Sequence, residues 1–306
     1  MPTTPNGTAY TITTTTIAGQ GRMRRAIADT FASTPARPAF VYAHGANGGV
    51  GSFTGSANWA PLLNWLIDRG WVIIEGEGGL PDSSGSTWNH WGNLVNRAAY
   101  SAYIDNAGVD VAYFVMAGSS MGGLISQWLA HRSPYADRCR GYIGFGAVQT
   151  MFVGNDSEVV SGIPVPSERT TGRYFQPSIM AAYGVSAYGD LAAAAADHAP
   201  ERFDPSVWQG RNILEVYGTN DTTVPWYPRG GDALRTRWAG RPAMDVLSIG
   251  EGAGHDIASG VGVDWAAVTS FIETATADPE HLPRRISVDE MTIRYGSSEY
   301  RFSPGP

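Results

Sequence analysis

The sequence predicts an α/β protein with a mainly parallel sheet flanked by helices. Short, continuous apolar runs recur at 38–43, 71–74, 111–117, 141–147, 213–217 and 243–249. Segments with helical spacing fall between them, at 58–69, 88–106, 121–131 and 264–277. The apolar runs do not alternate with polar residues, so they read as strands covered on both faces. A chain of 306 residues, 43% of them hydrophobic, can bury a sizeable core and is not wholly disordered.

In chain order, residues 1–34 read as an N-terminal strand segment, with Thr-rich extended chain at 10–17. The run 38–43 ends in His44-Gly45, a strand meeting a turn. In 58–69, Trp59, Leu62, Leu63, Leu66 and Ile67 share one helical stripe, and Gly70 fits a C-terminal cap. A Gly/Ser/Pro-rich loop at 75–87 follows the strand at 71–74. Residues 148–211 break the rhythm with Pro, Gly, Tyr and a run of alanines at 192–196, and read as a lid-like insertion. A single domain is expected over 35–277. Beyond it, 278–306 reads as an appended β-hairpin.

Composition removes several function classes. The formal net charge of -7 argues against a general nucleic-acid or anionic-membrane binder. Cys139 is the sole cysteine, which excludes an intrachain disulfide and a cysteine-built metal site. The six histidines form no HExxH pair, and no apolar run reaches the roughly 18–20 residues of a membrane span. The N-terminal residues lack a signal-peptide pattern, so the expected location is cytoplasmic, with association with a virion as the alternative.

The strand at 111–117 runs into Gly118-Ser119-Ser120-Met121-Gly122, and a helical segment follows. This is G-x-S-x-G centred on Ser120. A serine lifted out of a sheet on a tight strand-to-helix turn needs neighbours without side chains. The turn also sets its Oγ at a helix N-terminus, where developing negative charge is favoured. Ser119 does not fit the same register, because Ala117 and Met121 would flank it.

With this motif, with His44-Gly45 and with two later loops, residues 35–277 resemble the α/β-hydrolase superfamily, esterases and lipases in particular. All 21 basic residues are Arg, which suggests a GC-rich genome and, with the resemblance, an actinobacterial or phage source. The resemblance implies a nucleophile, an acid and a histidine in that chain order, each just after a strand. Asp221 matches the acid in Gly218-Thr219-Asn220-Asp221-Thr222-Thr223-Val224-Pro225, and His255 matches the base in a glycine-rich loop 34 residues on. The bland readings are an Asx-turn carboxylate and a surface histidine. The resemblance also implies an oxyanion hole built from the backbone N–H groups of Ala46 and Met121, with Asn47 as runner-up for the first donor. His44, Asn47, Trp88, His90 and Trp91 are expected around the substrate pocket.

The function so implied is cleavage of a carboxylic ester through Ser120, His255 and Asp221 and an acyl-enzyme, with no metal or organic cofactor. A peptidase or acyltransferase would use the same residues. The appended hairpin motivates a different class, a structural or attachment protein such as a phage-tail component on a hydrolase fold. Expected partners are a small-molecule or cell-envelope ester, and another copy or a virion assembly held through the termini.

Overall fold

The computed structural model describes residues 1–30, 36–80, 90–148, 159–160, 163–164, 177–200, 212–224, 244–248, 253–277, 291–295 and 298–302. It begins with an antiparallel pair, β1 (Tyr10–Ile17) and β2 (Gly21–Ala28). Strands and helices then alternate: β3 (Arg37–Ala43), α1 (Ala60–Asp68), β4 (Val72–Gly76), α2 (Leu94–Asp105), β5 (Val111–Ser119), α3 (Gly122–His131) and β6 (Cys139–Phe145). Two short strands, β7 (Val159–Val160) and β8 (Ile163–Pro164), pair with each other. After them come α4 (Tyr188–Ala194), β9 (Asn212–Tyr217), β10 (Met244–Ser248) and α5 (Trp265–Ala277). A hairpin of β11 (Met291–Tyr295) and β12 (Ser298–Phe302) forms a two-stranded sheet of its own; residues 278–290 lie outside the described residues.

One eight-stranded sheet has the order β1-β2-β4-β3-β5-β6-β9-β10. From β4 to β10 every pairing is parallel, and β1 and β2 add an antiparallel edge. Side chains of successive residues leave a strand on opposite faces. Phe40, Tyr42, Ile73, Val115, Ile143 and Val216 therefore pack on one face with α1 and α5. Val41, Val72, Ile74, Phe114, Met116 and Ile213 pack on the other with α2 and α3. This is why the central strands read as unbroken apolar runs.

Sequence and structure differ at two places in this frame. Strand β2 gave no apolar signal because Arg22, Arg24 and Arg25 interrupt it; its buried positions are Gly21, Met23, Ala26 and Ala28. Helix α2 starts at Leu94 rather than at residue 88. Trp91 and Gly92 have φ of 34° and 73°, which a right-handed helix cannot contain, and Asn93 caps the helix by accepting the Asn96 N–H at 3.1 Å. Helix α1 ends as its sequence suggests. Gly70 adopts φ 76°, its N–H donates to Ile67 at 3.0 Å, and Trp71 N–H donates to Leu66 at 3.0 Å, a Schellman closure.

Trp59, just before α1, joins helix, sheet and loop. Its ring centroid lies 4.9 Å from Phe145 and 5.3 Å from each of Tyr42, Phe53 and Trp265. Replacing it opens a large hole that rigid neighbours cannot close. Trp59→Ala should therefore lower the unfolding free energy by about 3–5 kcal/mol in urea titrations.

The described residues 177–200 pack through Ile179, Leu191, Ala195 and Ala199 onto Trp91, Met121, Leu124 and Val148. Polar ties run alongside: Asn93 Nδ2 donates to Ala182 O at 2.8 Å, and an Arg97 N–H donates to Asp197 O at 2.6 Å. Tyr183 Oη donates to Trp91 O at 2.9 Å and lies 3.2 Å from His198 Nδ1. Burial, and then the nearby Arg97 charge, lower the His198 pKa from 6.5 to about 4. Between those values the unfolded chain binds more protons than the native one, so stability should fall as pH drops from 6.5 towards 4. Thermal unfolding across this range should show that slope, and His198→Leu should flatten it.

Candidate active site

Four connections meet at the carboxyl ends of the parallel strands β3, β5, β9 and β10, where crevices of open α/β sheets form. The turn after β5 is the tightest. Ser120 has φ of 47°, a left-handed conformation that costs a side-chain-bearing residue about 1–3 kcal/mol. Main-chain bonds hold it there. Its N–H donates to Phe145 O at 3.1 Å, and its carbonyl accepts from Gly123 N–H at 3.0 Å and Val148 N–H at 2.7 Å. A Cβ on Gly118 would lie 2.5 Å from Ser126 Oγ, and one on Gly122 would run into the carbonyl oxygen of Ala43. Both glycines of the motif are thus required by close backbone approach.

Asp221 follows β9 and is buried. Its Oδ1 accepts the N–H groups of Thr223 at 2.9 Å and Val224 at 2.8 Å. The Asx turn occupies one carboxylate oxygen and leaves the other for a second partner. Oδ2 lies 2.6 Å from His255 Nδ1, and His255 Nε2 lies 3.0 Å from Ser120 Oγ. A carboxylate can only accept, so Nδ1 carries the ring proton and Nε2 accepts the Ser120 hydroxyl. The Asp221 side chain is fully screened from solvent, while the His255 side chain is 26% exposed towards the cleft. Asn220 N–H donates to Ala253 O at 2.9 Å and ties the acid's loop to the histidine's.

A cleft of about 450 Å³ opens beside Ser120. Ala46 and Asn47, after β3, lie in its wall, Asn47 with φ of 60°. Met121 begins the turn into α3, directly after Ser120. Among the described residues, neither the Ala46 nor the Met121 amide donates to a main-chain carbonyl.

Other expected pocket residues are placed differently. His44 is buried behind the loop, its Nδ1 2.6 Å from Gly45 O and its Nε2 3.0 Å from Glu77 O. His90 is buried with Nε2 2.7 Å from Leu80 O, and Trp91 is buried in the apolar cluster under residues 177–200. None of the three lines the described cleft, because each is drawn inward by packing and main-chain bonds. Trp88 lies outside the described residues. Elsewhere, His131 is buried edge-on to Tyr142, and Asp256, next to His255 in sequence, is exposed.

No protein-family model matches the sequence, and no curated protein matches it. Solved structures do match. A Bacteroides ovatus protein provisionally named a dipeptidyl aminopeptidase IV superposes with a TM-score of 0.62 at 13% identity, over 87% of this chain. This chain spans only 36% of that longer protein. An S-formylglutathione hydrolase from Agrobacterium tumefaciens matches with a TM-score of 0.56 at 12% identity, over 89% of this chain and 95% of its own. A mutant of the esterase rPPE matches with a TM-score of 0.56 at 15% identity, over 89% and 83%. The chain has the α/β-hydrolase fold.

Within this α/β-hydrolase framework, Glu75 has a part that the sequence reading missed. It is a lone carboxylate ending an apolar strand, which was the available signal. Buried beneath the loop after β3, it accepts the N–H groups of Phe53 at 2.8 Å and Thr54 at 3.2 Å, and the Thr54 hydroxyl. Arg24 reaches the same Thr54 hydroxyl from β2, at 3.4 Å. Glu75→Ala leaves two buried amides without an acceptor, at about 1–3 kcal/mol each. Chemical unfolding should show that loss, and Glu75→Gln, which keeps one acceptor oxygen, should lose less.

Proposed function

We propose that this protein is a serine hydrolase that cleaves carboxylic esters. The observation that carries the reading is the unbroken hydrogen-bonded chain from Ser120 Oγ through His255 to Asp221, at 3.0 and 2.6 Å, with the serine on a left-handed elbow. Ser120 attacks the ester carbonyl while His255 Nε2 takes its proton. The amides of Ala46 and Met121 stabilise the oxyanion. His255 then returns the proton to the departing alcohol, and water activated by the same nitrogen releases the acid from the acyl-enzyme. Asp221 fixes the imidazole tautomer and stabilises the imidazolium. None of these steps calls on a metal or organic cofactor.

Amide cleavage and acyl transfer to another alcohol use the same groups, and the structural neighbours include peptidases as well as esterases. We assign the ester because an alkoxide leaves more readily than an amide nitrogen, and because an esterase and an S-formylglutathione hydrolase match over most of their own lengths.

A fluorophosphonate probe should label Ser120, located by peptide mass, and Ser120→Ala should not react. Ser120→Ala or His255→Ala should reduce p-nitrophenyl acetate turnover by about 10⁴–10⁶-fold with the fold retained, and Asp221→Asn somewhat less. Unchanged turnover by Ser120→Ala would overturn the assignment. Faster turnover of a peptide p-nitroanilide than of the matched ester would move it to a peptidase.

A further inference from the structure

The cleft beside Ser120 has a chemical bias that bears on the substrate, and its interpretation rests on the ester-hydrolase reading above. In that reading the departing alcohol oxygen receives its proton from His255 Nε2, so the alcohol must lie along the wall that carries His255. That part of the lining continues through the turn His255–Ser259 and includes Thr223; residues of loop 45–56 line the cleft with it. Between them, Ser52, Ser56, Thr223 and Ser259 contribute hydroxyls and Asn47 an amide. No Asp, Glu, Lys or Arg is among the described residues that line it.

Ser52 Oγ accepts the Gly49 N–H at 2.8 Å, which orients it and leaves its own proton to donate. An apolar chain in this cleft would strip water from the hydroxyls and return no hydrogen bond. A charged head would find no counter-ion among the described lining residues. Tyr42, Ala46, Trp59 and Ala258 give the same cleft an apolar part, against which the carbon face of a polyol can rest while its hydroxyls reach the serines and Thr223. At about 450 Å³ the cleft is within the ~300–1,000 Å³ range of small-molecule sites.

We propose that this cleft is the alcohol subsite and that it takes a neutral polyol, the alcohol part of a glycerol or sugar ester. Ser56 and Ser259, one from each segment, are its specificity-determining hydroxyls.

Four acetate esters test this, because they share the acyl group and differ only in the alcohol: monoacetylglycerol, 6-O-acetylglucose, hexyl acetate and acetylcholine. At least one polyol acetate should exceed hexyl acetate and acetylcholine in kcat/KM by about tenfold or more, since each hydrogen bond contributes about 3–10-fold. The ratio of the two polyol acetates distinguishes glycerol from sugar. Ser56→Val and Ser259→Val should each shift the polyol-to-hexyl ratio about 3–10-fold towards hexyl. Ser259→Thr, which keeps the hydroxyl, should restore it. Equal or faster turnover of hexyl acetate or acetylcholine overturns the subsite, as does an unchanged ratio in both valine variants. Fluorophosphonate labelling of Ser120 runs in parallel. Labelling without polyol preference removes the subsite alone, and absence of labelling removes the ester-hydrolase reading with it.

Discussion

The contact between the backbone of α3 and the end of β3 governs the site. Gly122 lies against the carbonyl of Ala43 with no room for a side chain, so helix and strand are locked at main-chain distance. That approach forces the chain through Ser120 into a left-handed turn. The strain is tolerated because hydrogen bonds from Gly123 and Val148 close on the Ser120 carbonyl and its own amide is bound by Phe145. Two consequences follow together. Ser120 reaches the cleft that the loop after β3 also lines, and Met121 leads directly from it into α3.

The remaining components are held by the same economy of main-chain bonds. Loops after β9 and β10 are joined through Asn220 and Ala253, so the carboxylate and the imidazole keep their spacing independently of what connects them in sequence. The loop after β3 rests on the buried carboxylate of Glu75. Ser120, Asp221 and the loop after β3 are thus each held by hydrogen bonds from outside their own turn or loop.

Much of this was legible in the sequence, for physical reasons. Parallel strands buried on both faces have no polar alternation, so their runs stood out. Ser120 was marked by glycines that the turn requires, and Asp221 and His255 by loops that resemble those of the α/β-hydrolase superfamily. What escaped were residues whose burial is determined by long-range contacts. Three arginines disguised β2, whose side chains emerge at an antiparallel edge. His44, His90 and Trp91 resembled pocket residues because they stand in glycine-rich loops, yet main-chain acceptors and an apolar cluster draw them inward. Nothing local distinguishes Ser52, Ser56 and Ser259 from ordinary loop serines; only the fold brings them to one cleft.

Trp59 belongs both to the aromatic core and to the cleft wall. The parts of the lining therefore differ in how freely they can change. On the side of Trp59 and Tyr42, a change of shape disturbs rings that hold the sheet, and few substitutions can spread through a lineage. On the side of Ser259 and Thr223 the residues are exposed and lie on a turn. Substitutions should be tolerated there more readily than among the aromatic rings.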